Sequence, residues 1–597
     1  MKKIIGILFA AVLAFSVAAC NGNGKNMYAL SYDDQMPASG EFNESLFYRN
    51  DLETACADPQ VMYIDDPTST ENGYYYMYAT SDATLGVMGF TAWRSKDLTS
   101  WENVSNTKGF PAFFPTDDHY GFKNYWAPEC IYDAETDKYY FYYSCSNRFI
   151  DATPNQFQIG LAVADEPYGP FLALEDETHD ASTPFFDNEK MMEAAVAAGG
   201  EETSYFTCID PHPYVAPDGQ KYLYFVRDKN ESVTGTHIWA MKMNSWTEPD
   251  YSTLTRLTRT NYKTVDGDER MPTDMEASGN TINEGPFIYE SLQEDGSYRY
   301  YLTLSVNSYL NKSYTVLQAV GDDPLGPFTK LSKEEGGILI GTDGQAWDHI
   351  SGPGHHSFVK VGDELFIVYH EHINRETGES QRAAAIDRVQ LVKNSNGDEV
   401  MYANGPTWSL QPRPELYSEY VNIADEATVS GDGVTDIEAV NDGLLSLYSY
   451  IDYVKEARFS KKTTITVKFD DYREVTGLMI YNSKTFNNTF FSIERVEFDF
   501  KDEAANVEGT AYIDDLGFDW DMYSSSGGQM MRPGGSSVAI FNPMLVKEIR
   551  ITIDPDTSRI TVDENGVEND LLAIRDEEGY IVPPEWIGIS EIVVLGK

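Results

Sequence analysis

Three carboxylates stand at comparable places far apart in this chain: Asp58 in Ala57-Asp58-Pro59, Asp210 in Ile209-Asp210-Pro211, and Glu284 in Asn283-Glu284-Gly285-Pro286. Each lies beside a Pro or Gly-Pro turn, and each turn leads into an apolar run that reads as a buried strand. A single Asp before Pro is an ordinary turn residue. Three gathered at one point raise one another's pKa, a cost that a purely structural role does not explain. Two carboxyls in unlike environments are what acetal hydrolysis needs. One holds a proton near neutral pH for the leaving oxygen, and the other stays ionised to activate water.

A repeat supplies the elements that would bring them together. The same kind of opening recurs at Trp126-Ala127-Pro128-Glu129-Cys130 and Gly354-His355-His356-Ser357-Phe358. Spacings of 69, 83, 74 and 71 residues separate Asp58, Ala127, Asp210, Glu284 and His355. Each opening is followed by a strand dense in Tyr, Phe and Val, expected over 74–79, 139–144, 221–226, 300–304 and 364–370. The segment Pro167-Tyr168-Gly169-Pro170-Phe171 returns as Pro324-Leu325-Gly326-Pro327-Phe328 at a matching place in its unit. Five such units predict a radial all-β fold, a five-bladed β-propeller whose strand openings converge on one axis and place the three carboxylates equivalently. Residues 175–205 interrupt the repeat with an acidic insertion, helix-prone over 191–198, of the kind that collects on a binding face.

The remaining chain divides by texture. Residues 1–20 have a basic start and a short apolar stretch, which reads as a secretory signal and not a spanning helix. Its end, Val17-Ala18-Ala19-Cys20, resembles a bacterial lipobox with Cys20 as the acylated residue; the alternative is a plain signal that happens to leave a Cys. The expectation is an exported lipoprotein, periplasmic or at the cell surface, held to a membrane only through its lipid. Residues 21–46 read as a polar tether, 47–414 as the propeller, and 415–597 as a β-sandwich of jelly-roll type. Ser524 to Ser537 reads as a Gly/Ser/Met-rich loop. Cys56, Cys130, Cys145 and Cys208 fit no metal template and are expected as small buried hydrophobes, with no bridge assigned. A net charge of −51 argues against nucleic acid or an anionic membrane surface as partner.

Taken in order, the five openings resemble the family 43 glycoside hydrolases over about Leu46 to Pro414. The resemblance implies a five-bladed propeller that hydrolyses arabinosides, xylosides and related sugars of an oligo- or polysaccharide with inversion, and requires no cofactor. It implies Asp58 as general base, Glu284 as general acid and Asp210 as the group that tunes and orients Glu284. It also implies His355 near the axis, where some relatives hold a calcium ion or water cluster. Cys56-Ala57 precedes Asp58 where many relatives have His-Pro, and Tyr369-His370 runs on into Glu371-His372; both departures bear on substrate more than on mechanism. The C-terminal strands resemble a discoidin-like (coagulation-factor type C) domain, which would bind glycan or serve packing alone. Four further residues are candidates for substrate contact, each with a plain alternative. Trp126 is a stacking wall or a core aromatic, and Glu129 a supporting or packing group. Arg382 is a donor to sugar hydroxyls or a surface arginine, and His355 an ion or water ligand or a structural histidine. Among activities, α-L-arabinofuranosidase comes first, with β-xylosidase and β-galactofuranosidase behind it. A retaining, fructan-type propeller is disfavoured by Gly285 after Glu284, where those proteins typically carry Cys. A non-catalytic surface glycan-binding lipoprotein is the third reading.

Overall fold

The structure is a computed structural model. It describes residues 16–597 apart from 21–25, 34–41, 51, 53, 81–87, 151–155, 228–234, 345–347, 349, 374–380, 486–487, 491, 503–505, 517–521, 526–527, 532, 556–560, 563–567, 570–573, 576–580 and 583–584. The chain forms two compact units, 49–408 and the combination of 1–48 with 409–597.

The first unit is a five-bladed propeller. Its innermost strands are Ala57–Tyr63, Gly121–Asp133, Cys208–Val215, Asn283–Leu292 and Gly354–Val361. The second strands are Tyr75–Thr80, Lys138–Asn147, Lys221–Arg227, Tyr298–Val306 and Glu364–His372, all antiparallel to the first and joined to them by short turns except in the first blade, where 64–74 make a longer loop. Buried Tyr, Phe and Val from these strands fill the spaces between blades, as their density in the sequence requires. The insertion forms the helix Asn188–Ala197, capped by the Asp187 side chain, and Met191 and Ala195 on it are fully buried.

Every innermost strand slips register at its opening, between Ala57 and Gln60, Trp126 and Glu129, Ile209 and His212, Glu284 and Phe287, and Gly354 and Ser357. The backbone turns left-handed there, with φ of 53° at Asp58, 42° at Ala127, 54° at Asp210, 55° at Gly285 and 43° at His355. For a residue with a Cβ this conformation costs roughly 1–2 kcal/mol, so surrounding bonds must hold it. The three carboxylates are therefore not equivalent, as the repeat had suggested. Asp58 and Asp210 occupy the left-handed place, whereas Glu284 precedes it and Gly285 takes it. Gly285 is needed for a second reason: a Cβ there would lie 3.0 Å from the His355 ring.

The ring is closed by the stretch ahead of the first blade. Cys56 N–H donates to the Arg382 carbonyl at 3.0 Å, and Ala384 N–H to the Thr54 carbonyl at 3.1 Å. Asn50, 1 % exposed, spans Ile386 and Thr407: its Nδ2 donates to both carbonyls at 3.0 Å, and its Oδ1 accepts from Ile386 N–H at 2.9 Å. All four cysteines of this unit are buried thiols.

The second unit is built on a ten-stranded mixed sheet, with short two-stranded ribbons beside it. Two long strands, Thr463–Asn482 and Ser536–Ile553, carry its hydrogen bonding through register irregularities and around a single apolar core. The boundary lies at 408/409 and not at 414/415, and Phe47–Tyr48 pairs with Gln411–Pro412 inside this unit. The expected tether is in part structure. Asn26–Ala29 pairs in parallel with Val507–Leu516 and antiparallel with Ser16–Cys20, and Tyr28 packs edge-on against Phe500 at 5.7 Å. Apolar Tyr28 and Leu30 earn that burial, which a polar reading of 21–46 overlooked. The expected 524–537 loop contains the ribbon Met522–Ser525 with Gly528–Met531. Most of the expected signal, 1–15, lies outside the described residues.

Candidate active site

A narrow cleft on the propeller axis is lined by Asp58, Glu129, Asp210, His355 and His356 together with Gln60 and the turn prolines. The left-handed openings aim their side chains inward, and a shared device fixes them. In four blades the bulge N–H is held by a polar side chain from the second strand of the preceding blade. Ala127 N–H donates to Thr80 Oγ1 at 2.7 Å, Asp210 N–H to Ser144 Oγ at 2.9 Å, His355 N–H to Ser305 Oγ at 2.9 Å, and Asp58 N–H to His370 Nδ1 at 3.1 Å. Thr80, Ser144, Ser305 and His370 are equivalent, each lying opposite the last residue paired before the register slip of its own innermost strand. In the third blade that place is Val226, which offers no acceptor. Gly285 N–H donates instead to Oδ2 of Asp210 at 3.0 Å. One valine thus leaves the Asp210 carboxylate fastened to the peptide next to Glu284.

Asp58 is 9 % exposed and densely held. Its Oδ1 lies 3.0 Å from Nη1 of Arg382 and 3.2 Å from Nδ1 of His355, and Thr80 Oγ1 donates to Oδ2. Burial pushes this carboxyl up, but Arg382 first, then His355 and His370, outweigh burial and hold it well below the usual carboxylate range. The His370 contribution is the weakest on chemical grounds. Its Nδ1 already accepts the Asp58 backbone N–H, which puts its proton on Nε2, so the 3.3 Å approach of Oδ1 to Nδ1 is not a hydrogen bond. Burial and then Arg382 drive His370 down to about 3, leaving it a neutral imidazole.

Glu284 is half-buried, and its Oε1 accepts from the hydroxyl of Tyr314 at 2.8 Å. Tyr314 is 1 % exposed and stacks on the His370 ring at 5.5 Å and 8°. Burial, then Glu284 and Asp58, push the phenol far above its ordinary value, so it remains an O–H donor. Gly354 makes room for this ring, since a Cβ there would stand 2.3 Å from it. Contacts therefore run without a break from Glu284 through Tyr314 and His370 to Asp58.

The other sequence candidates divide. Glu129 Oε2 meets His212 Nδ1 at 2.7 Å, and His212 Nε2 accepts from Ile288 N–H at 3.3 Å, which sets the proton on Nδ1. Burial raises the Glu129 carboxyl against the pull of His212. Arg382 is buried, not a surface residue, and is committed to Asp58 with its guanidinium 4.7 Å from the Tyr309 ring. Trp126 packs on Phe157 at 4.6 Å and does not line the axial cleft. His355 faces Asp58, and no group of three or more His, Cys, Asp or Glu side chains among the described residues is placed to hold an ion. Sequence reasoning missed Thr80, Tyr314 and the role of His370. Thr80 and His370 could have been found by aligning the ends of the second strands, where Thr, Ser, Val, Ser and His stand in turn. Nothing in the sequence marks Tyr314.

Comparison with known proteins adds a family to this geometry. The sequence model described as glycosyl hydrolases family 43 matches residues 52–395. The chain is similar to a β-D-galactofuranosidase xynD of Aspergillus niger, 34% identical over 107 residues that span 18% of this chain and 28% of that protein. Among solved structures it is similar to a thermostable family-43 glycoside hydrolase, at 27% identity and a TM-score of 0.47 over 62% of this chain and 99% of that one. It is also similar to an endo-1,4-β-xylanase of Bacteroides thetaiotaomicron, at 25% identity and a TM-score of 0.43 over 61% and 99%. The family match takes in all five innermost strands and more than half of the residues, so the chain belongs to family 43 of the glycosyl hydrolases.

Proposed function

We propose that this protein hydrolyses furanoside or pentoside linkages of glycans by single displacement with inversion, with α-L-arabinofuranosides of plant polysaccharide side chains as first substrate. Family 43 is an inverting family of glycoside hydrolases that needs no cofactor. The observation that carries the reading is Asp58, a buried carboxylate kept ionised by Arg382 on the axial cleft. An ionised buried base can take a proton from water as that water attacks the anomeric carbon. Glu284 gives its proton to the departing oxygen. Tyr314 occupies Oε1, so the transferable proton sits on Oε2, and the same phenol stabilises the carboxylate left after transfer. Asp210 orients Glu284 through Gly285. Arg382 and His355 contribute around this centre through Asp58, and Glu129 through His212.

Release of 4-nitrophenol from the α-L-arabinofuranoside, β-xyloside and β-galactofuranoside, with proton NMR of the first-formed anomer, tests the proposal. Asp58→Asn and Glu284→Gln should each lower turnover about 10²–10⁴-fold while leaving the melting transition in place. A retained anomer, or near-wild-type turnover in either variant, rules out these roles. β-Galactofuranoside is the second reading, favoured by the activity named for the Aspergillus niger relative. No turnover of any glycoside, with saturable binding of glycan, would instead identify a surface glycan-binding protein.

The sequence of 1–20 supports export and acylation of Cys20, with membrane attachment through lipid alone, and the strand pattern of 415–597 supports a discoidin-like accessory domain. Mass spectrometry of the N-terminal peptide from a bacterial host decides the first: a diacylglyceryl Cys20 is expected, and an unmodified mature terminus excludes it.

A further inference from the structure

In a chain with 95 acidic and 44 basic residues, several arginines of the described structure pair with carboxylates, as Arg94, Arg388, Arg495 and Arg550 do. One corner of the third blade departs from this. On its third strand, His237–Ser245, His237 pairs across with Arg227, and Trp239 pairs with Arg256 of the neighbouring Thr255–Arg256 strand. Residues two apart on a strand, and residues directly opposite across a ladder, share a face, so these four side chains stand together. The guanidinium of Arg227 lies 5.8 Å from the indole of Trp239, and that of Arg256 lies 6.0 Å from it. Arg227 is engaged by the Glu201 carbonyl at 2.8 Å.

The other three are short of acceptors. Among the described residues, His237 Nδ1, Trp239 Nε1 and Arg256 Nε meet no hydrogen-bond partner, and these atoms are buried, with His237 only 2 % exposed and Trp239 fully buried. Orphaned donors in such a place are costly, and native structures usually satisfy them. Burial is the largest influence lowering His237, and the charges that follow are all positive: Arg256, Lys330, Arg227 and Arg259. Lys330 is balanced by Glu276, with which it forms a buried pair. Arg256 and Arg259 have no ion pair among the described residues. Arg259 and Arg270 both rest on the ring of Tyr262, at 3.6 Å and 3.9 Å. Unsatisfied buried polar groups beside arginines that have no ion pair among the described residues favour an anion.

The corner is also wired to the candidate acid. Thr236, next to His237, accepts the Asn283 N–H at 3.0 Å, and Lys330 Nζ donates to Asn283 Oδ1 at 2.7 Å. Asn283 directly precedes Glu284.

We propose that His237, Trp239, Arg256 and Arg259 form a binding site for an oxyanion, either the carboxylate of an acidic sugar in the glycan or a free inorganic phosphate or sulfate. The inference stands on residues outside the catalytic set, and its test is binding, so its failure leaves the hydrolase reading untouched and the reverse holds as well. The full chain is titrated at low ionic strength with sodium glucuronate, sodium galacturonate, inorganic phosphate and sulfate, with glucose as the neutral control, and heat and indole fluorescence are recorded. Saturable binding of an anion is expected, with none of glucose, and Arg256→Gln should weaken it by roughly tenfold or more, the loss of one hydrogen bond to a charged group. Arg259→Gln, at a half-buried position, should weaken it as well and serves if Arg256→Gln does not fold. Binding of a uronate alone identifies the acidic sugar as the source, and binding of phosphate or sulfate alone identifies the inorganic ion. Absence of saturable binding by every anion, or binding indifferent to both substitutions, overturns the site.

Discussion

At the scale of single residues, the candidate centre is governed by two donors that the carboxylates themselves did not announce. Arg382 is the strongest of the influences that keep Asp58 ionised against burial. In Arg382→Gln the carboxyl should rise, and because the base must be ionised to work, the acidic limb of the kcat/KM profile should move to higher pH. A profile that keeps its acidic limb would detach Arg382 from Asp58. Tyr314→Phe acts on the other side of the reaction. It removes the donor to Oε1, destabilises the ionised acid more than the protonated one, and should shift the basic limb upward while lowering kcat about tenfold or more. Unchanged kcat and limb would show the phenol to be packing only. The carboxylates were legible in the sequence because Asp and Glu beside Pro and Gly recur at a fixed period. Arg382 was legible only as a strand-opening cation, since its partner lies 324 residues earlier in the chain. Tyr314 was hidden among many strand tyrosines whose neighbours no local pattern specifies.

At the scale of elements, the informative feature is the end of each second strand. The period of the repeat made the five strand pairs visible to within a few residues at their ends. It did not show that Glu284 is one residue out of step with Asp58 and Asp210, because the left-handed turn depends on backbone angles that composition does not record. Nor did it show that Val226 stands where other blades carry an acceptor. Val226→Thr should place a hydroxyl beside Gly285 N–H and compete with Asp210 for it. The expected outcome is a modest loss of stability, since valine and threonine differ by a buried hydroxyl, together with a displaced pH profile on the aryl glycoside. A variant with the wild-type profile would mean that Asp210 does not act through this peptide.

At the scale of the whole propeller, closure rests on Asn50, Thr407 and Asp387. Asp387 accepts from the hydroxyl of Tyr369 at 2.7 Å and from Thr407 N–H at 3.1 Å. Burial nonetheless raises its carboxyl to about 7, with Thr407 and Tyr369 opposing. A folded-state value above the unfolded one of about 3.9 means that its contribution to stability is complete below pH 4 and is lost as pH rises through 7. Asp387→Asn should therefore flatten the dependence of melting temperature on pH between roughly 4 and 7, whatever it does to the absolute value. An unaltered slope would place the titration elsewhere. This closure was not readable from the sequence, because Asn50 lies in a stretch that carries no strand signal and meets its partners more than 330 residues later. It also sets an order on synthesis. Asp58, Asp210 and Glu284 have all left the ribosome well before His370 and Arg382, yet the first of them has neither its backbone anchor nor its cation until the fifth blade arrives. A nascent or truncated chain ending short of Arg382 would carry all three acidic groups proposed for the reaction with Asp58 unanchored, and the expected outcome is a propeller that stays idle until it is whole.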